Sequence, residues 1–574
     1  MRTGDLKRMV KAGLIGGIVA VFISVIGMVE AFSRRELIVG VVSIGHTLLI
    51  LIVMVTTYFL IQQRRASAAV SGTLHGRASL IFGSTIAAAV IGLMLGVLAA
   101  LAITFNLRTV LINVSPELIA MLTLGVPGIA GALSPLIATT VFGAAGGAIF
   151  TLPPRPRRIL LSGLIFLTFF GLISDLIRIS MNALPARVTR QLVTTTGLKP
   201  LGAGILFLAV VGISYASQRW KNRLKDRIAG LPPARQRTFR HGQWALLVIG
   251  LAALPWIVGR VPSDVLVKVG IFVLMGFGLN IVVGKAGMLD LGYVAFFAVG
   301  AYSMAIFTSA DELPNITLSF WAALPLVIII TGIAGLLVGA PVIRMRADYL
   351  AIVTLGFGEI ARFLALSDWF TPVLGGAQGV IKIPDASVFG FALVGPQNLY
   401  YLILVFCLAA LFISYRLEGS RVGRAWVAMR EDESVAEVMG VNTVYYKLLA
   451  FLIGAMIASL GGAVFAVKLG AIFPHSFSVE VSITALSLLI IGGLGSLPGV
   501  IVGAFALVGL PELLREFEEY RFLIYGAVII FMMIVRPQGL MPAVRRGREL
   551  SEAERAQDAV KGMDEAAIPT AASD

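Results

Sequence analysis

The sequence predicts an all-α membrane protein of about sixteen transmembrane helices, and three observations carry that reading. Of its 574 residues, 58% are hydrophobic and only 13% charged, about half the roughly 25% charged share of a soluble globular protein. Apolar runs of the length a bilayer demands, about 20 residues at 1.5 Å each, recur along nearly the whole chain. The breaks between them are short and basic, so the formal charge of +15 reads as topology signals under the positive-inside rule, with no concentrated basic domain to bind nucleic acid.

The first apolar run, residues 9–32, follows Arg2, Lys7, Arg8 and Lys11 like a signal peptide. It exceeds an h-region and a second run follows directly, so an uncleaved first helix is expected. Further spans are expected at 38–61, 79–103, 128–151, 159–177 and 201–217, giving a six-helix block. A cytoplasmic N-terminus gathers Arg64, Arg65 and Arg77, then Arg155, Arg157 and Arg158, then the run from Arg219 to Arg240, on one side. Within the block, Asp175 and Arg178 are spaced for an interfacial pair.

The polar stretch 218–243, containing Pro232 and Pro233, is the expected boundary between an N-terminal block (1–240) and a second hydrophobic block (241–543). Ten segments are expected there: 244–260, 264–284, 286–308, 318–340, 349–367, 398–415, 448–470, 481–493, 498–514 and 522–536. Loops 309–317 and 368–397 fall on the outside as a vestibule, and both termini fall in the cytoplasm. The tail 544–574 mixes charge with Ala and Ser and is expected to be disordered.

Three stretches carry mechanism. Gly278 to Tyr302 interrupts an apolar run with glycines, Lys285 and Asp290; irregular backbone at membrane depth is tolerated only inside protein or along a wet cavity, which makes it a candidate permeation element. Asp290 is expected to face the cavity or to pair with Lys285, and Glu359 either lines the path or bonds to backbone between helices. Tyr415 to Lys447 is the longest polar break of the second block, and Val422, Trp426 and Met429 form an apolar stripe at i, i+4, i+7. That stripe either docks in a partner's groove or packs on its own membrane domain. Gly492 to Gly499 reads as a sharp turn or as part of a gate between small-residue helix faces.

Four motifs in order, Gly278–Tyr302, Ala347–Ile360, Gly423–Glu433 with Gly440, and Gly492–Gly499 with Arg536–Leu540, resemble the permeases of branched-chain amino-acid ABC importers, the M-type subunit in particular, over residues 244–543. The resemblance implies a ten-helix permease paired with a second permease, two cytoplasmic ATPases that bind ATP and Mg, and an extracytoplasmic substrate-binding protein. It implies ATPase coupling through Arg421, Gly423, Arg424, Trp426, Met429, Arg430, Glu431, Asp432, Glu433, Ala436 and Gly440. The implied translocation path passes Asn280, Gly284, Asp290, Tyr293, Phe296, Thr354, Gly356, Phe357, Glu359, Gly492, Gly493, Gly495 and Ser496. The inner membrane of a prokaryote is the implied location.

No Gly-x-x-x-x-Gly-Lys-Ser/Thr sequence occurs, so the chain lacks a phosphate-binding loop and no cofactor of its own is expected. Four scattered histidines and the single Cys407 give neither a metal site nor a catalytic constellation. Asp290 and Tyr293, together with Lys468 and His475, differ from the residues usual in that family and keep import of urea, a short amide or another amino acid open. An ion-coupled carrier with Asp290 and Glu359 as proton sites is the alternative of another class.

Overall fold

The computed structural model describes residues 3–71, 76–105, 107–172, 174, 178, 191–194, 197–229, 242, 248–309, 317–342, 345, 347–388, 390–513, 520, 523, 526, 529–530, 532 and 538–542. Among them, eleven helices are long and apolar enough to cross a membrane, and three shorter apolar helices accompany them. In hydrocarbon every backbone N–H and C=O needs an internal partner, which a helix supplies within its own segment. The chain divides into two compact units, Met1–Val248 and Ile249–Asp574.

The first unit contains α1 (Thr3–Val25), α2 (Ile44–Ser71), α3 (Arg77–Thr104), α4 (Ser134–Thr151), α5 (Pro154–Leu172) and α6 (Pro200–Ala229). The expected span 9–32 stops early because Gly27, at φ 86°, turns the chain into a separate short helix, Met28–Ser33. The expected span 38–61 starts late: residues 36–43 form a two-stranded hairpin, β1 (Glu36–Ile38) and β2 (Val42–Ser43), and the helix begins at Ile44. Small residues let α3 and α4 approach closely, since a Cβ on Gly92 would lie 2.6 Å from Leu136 Cα. Arg64 and Arg65 donate to the carbonyls of Ser79 and Phe150 at 3.0 Å each. Asp175 of the expected Asp175–Arg178 pair lies outside the described residues.

The second unit contains α7 (Arg260–Leu279), α8 (Val294–Thr308), α9 (Phe320–Val342), α10 (Ala347–Leu366) and α11 (Pro396–Glu418). It continues with α12 (Arg421–Glu431), α13 (Glu433–Val438), α14 (Thr443–Leu469), α15 (Val479–Gly492) and α16 (Leu497–Ala504). The core is one apolar cluster in which α7, α8 and α14 supply the fully buried residues Leu274, Phe277, Ala301, Phe451 and Ala458, joined by Tyr293 just before α8. The short helix Val248–Val258 is held against α11: Tyr400 and Tyr401 donate to the carbonyls of Leu251 and Ala252 at 3.0 and 2.8 Å. Loop 368–397 carries a small hairpin, β3 (Ser387–Val388) with β4 (Phe391–Ala392). The expected span 522–536 and tail 544–574 fall largely or wholly outside the described residues.

Candidate functional site

The expected span 286–308 is two pieces. α7 loosens into a π-helical turn, Asn280–Lys285, and residues 286–293 are irregular before α8 begins at Val294. Gly287 at φ 77° reverses the chain, and the amides of Ala286 and Met288 return to the carbonyls of Ile281 and Val282 at 3.0 Å each. Most of the break is buried, with Gly287 and Leu289 exposed, and its backbone is internally bonded, as irregular backbone within a membrane protein must be.

Around the start of α8 the predicted residues do meet. Asp290 is 1% exposed; its Oδ1 accepts from the Gly292 amide at 2.9 Å, and its Oδ2 is buried without a hydrogen-bond partner. Thr354 of α10 accepts from the Leu291 amide at 3.1 Å, and Ser482 of α15 accepts from the Val294 amide at 3.0 Å. Tyr293 donates to the Gly454 carbonyl of α14 at 2.7 Å, which fits because Gly278 beside it has no Cβ. Phe296 packs edge-on against Tyr293 and Phe451. Lys285 does not pair with Asp290: its Nζ lies 2.7 Å from Glu418 at the end of α11, because the chain reversal after the π turn carries Asp290 inward while Lys285 points toward α11.

Three consecutive side-chain caps build the polar arm. Ser420 accepts from the Gly423 amide at 3.3 Å and starts α12; Asp432 accepts from Val435 at 3.0 Å and starts α13; Asn442 accepts from Tyr445 at 3.0 Å and starts α14. Gly440, at φ 88°, ends α13 with two backbone bonds, its own amide to Glu437 at 2.9 Å and the Val441 amide to Ala436 at 3.0 Å, the Schellman pattern that favours glycine.

The apolar stripe of α12 faces inward. Trp426 is 1% exposed and donates from Nε1 to the Tyr446 carbonyl at 2.8 Å, and Met429 and Ala436 are buried. Arg421, Arg424, Glu431, Asp432 and Gly440 are exposed, and Glu433 holds Lys447 at 2.5 Å. The outward apolar surface is a different set: Val435 is 57%, Val438 87% and Met439 77% exposed. Their i, i+3, i+4 spacing is a helical stripe, the signal by which sequence reasoning would have found them.

The inner end of the arm meets the helix break. Arg430 donates from Nη1 to the Gly284 carbonyl, and Asn280, 1% exposed, accepts from the Gly495 amide at 2.9 Å. Gly495 belongs to the turn between α15 and α16, where Ser496 caps α16 by accepting from Gly499 at 3.1 Å. The amides of Leu540 and Met541 pin Ile491 and Gly492 at 2.8 Å each, and Gly493 lies against that segment. The other α10 residues stand apart: Gly356 faces open space, Phe357 packs partly buried on the core, and Glu359 pairs with Arg362 of its own helix at 2.8 Å. Lys468 holds Asp264 at 2.8 Å and His475 stacks on Phe473.

A bundle of apolar helices with a buried helix break, tied to a polar arm that ends in an exposed apolar face, defines an all-α membrane permease. A family model described as branched-chain amino acid transport system / permease component matches residues 261–533. The high-affinity branched-chain amino acid transport system permease protein LivM of Salmonella typhimurium is 40% identical over 324 residues, covering 52% of this chain and 74% of the relative, and LivM of Escherichia coli matches to the same extent. LivH of Salmonella typhimurium is 24% identical over 291 residues, 47% of this chain and 91% of the relative. The chain belongs to this family of branched-chain amino acid transport permeases. No solved structure matches it.

Proposed function

We propose that this chain is the membrane-spanning subunit of an ABC importer that carries branched-chain amino acids across the inner membrane, with residues 241–543 as the permease domain and 1–240 as an accessory block. In this reading both termini and the arm 421–440 are cytoplasmic. Two partner ATPases bind ATP and Mg, a second permease completes the path, and an extracytoplasmic binding protein delivers the substrate. The observation that carries the reading is the arm. Its inward face is anchored by Trp426 and Met429, and its outward face offers Val435, Val438 and Met439 to a partner, the arrangement of a short helix that seats in another protein's groove.

ATPase closure pushes α13, α12 follows, and the path opens to each side in turn around the break 280–296 and the turn 492–496. Asp290 Oδ2, bare in this state, is the group that meets the substrate ammonium when the break opens. The same buried carboxylate, with Oδ2 unpartnered, favours the second reading, an ion-coupled carrier. Proteoliposomes holding the chain, its second permease and both ATPases decide between them. Leucine uptake that requires ATP inside and ignores an imposed proton gradient supports the importer; uptake driven by the gradient without ATPases supports the carrier and overturns the importer.

A further inference from the structure

A helix end leaves carbonyls without backbone partners, and buried ones must find another donor. After the π turn 280–285 the Ile281 and Val282 carbonyls are taken by returning amides, whereas the Gly284 carbonyl is taken by Arg430, the last basic residue of α12. The same turn reaches the other way through Asn280, whose Oδ1 holds the Gly495 amide at 2.9 Å. Gly495, Gly284 and Arg430 are mutually so close that a Cβ on Gly495 would sit 3.1 Å from the Gly284 carbonyl oxygen and 3.4 Å from Arg430 Nη1. On the other flank, a Cβ on Gly287 would lie 2.9 Å from Arg430 Cγ. Three segments distant in sequence, the end of α12, the π turn and the 493–496 turn, therefore meet through one arginine, one asparagine and backbone. Asn280 Nδ2 is buried with no partner, a spare donor of the kind that calls for an explanation in a native structure.

We propose that Arg430 and Asn280 form a clasp that makes the inner end of the arm, the helix break and the α15–α16 turn move as one body, so that displacement of α12 is delivered to the break through the Gly284 carbonyl. Arg430 is a positioning residue here and touches no substrate. The clasp rests on the importer reading for its use in transport, and on the geometry alone for its existence.

Two measurements separate these. In the full chain in detergent micelles, hydrogen exchange of peptides covering 284–288 and 493–496 is followed for the parent, Arg430→Met and Asn280→Ala. A clasp predicts that Arg430→Met accelerates exchange in both peptides, including at the Gly495 amide, whose acceptor is Asn280 Oδ1, by about fivefold or more, while peptides within 294–308 keep the parent rate. Acceleration confined to 284–288, or spread equally over 294–308, overturns it. In the reconstituted complex, leucine molecules imported per ATP hydrolysed fall about fivefold or more in both variants, with partial recovery in Arg430→Lys. Because misfolding lowers uptake and hydrolysis together, an unchanged ratio in Asn280→Ala overturns the clasp, whereas a parent complex without ATP-driven uptake but with coupled exchange overturns the importer reading alone.

Discussion

Replacing Trp426 with alanine tests whether the arm is held from inside. The indole is 1% exposed and its Nε1 sits 2.8 Å from the Tyr446 carbonyl. Emptying such a site costs about 3–5 kcal/mol for the ring, and about 1 kcal/mol more for the lost hydrogen bond. α12 has only eleven residues, too few to persist unsupported, because isolated helices shorter than about 12–15 residues are marginal in water. The loss therefore appears as local opening of 421–440 while the membrane body stays folded. At a tenfold change per 1.4 kcal/mol, exchange of amides in that segment rises about a thousandfold, and peptides within 294–308 exchange as in the parent. Trp426→Phe, which keeps a ring and loses the donor, gives about a fivefold rise. Exchange within 421–440 that stays at the parent rate in Trp426→Ala would refute the inward anchor.

The outward face gives the complementary result: Val438→Glu, at a side chain 87% exposed, leaves thermal stability unchanged but raises the ATPase concentration for half-maximal assembly at least about tenfold, since a buried valine is worth about 1.5–3 kcal/mol. Tyr293→Phe removes the 2.7 Å bond to Gly454 and lowers stability by about 0.5–1.5 kcal/mol, read as the unfolding midpoint in micelles. Asp264→Asn leaves Lys468, whose side chain is 10% exposed, without its countercharge. Because Asp264 itself is partly exposed, the cost is about 1–2 kcal/mol, between that of a surface and a buried pair, and thermal denaturation of the double variant Asp264→Asn/Lys468→Met shows most of it recovered.

The apolar runs made most helices of the second unit legible, because in hydrocarbon the backbone has no other way to satisfy itself. Helix ends were less so: Gly27 and the hairpin 36–43 truncate the first two expected spans for turn geometry that hydropathy does not record. The stop at Gly440 was readable, since a glycine after a polar helix is itself the signal. The stripe Val422, Trp426, Met429 showed that α12 has a face, but periodicity does not say whether that face meets the protein's own core or a partner, and burial here puts it inward. Lys285 found Glu418, 133 residues away, in place of nearby Asp290, a choice made by the chain reversal at Gly287. The Arg430–Gly284 bond has a backbone carbonyl as one partner, so no residue type in the π turn announces it.

In the proposed importer a cytoplasmic ATPase seats on the exposed end of the arm. With Cys407, the one cysteine of the chain, replaced by serine and Met439 replaced by cysteine, a membrane-impermeant maleimide is added to inside-out vesicles with and without the ATPase subunits. The account predicts rapid labelling in bare inside-out vesicles, protection when the ATPases are bound, and none in right-side-out vesicles. Labelling from the outer side, or labelling unaffected by bound ATPase, would contradict it.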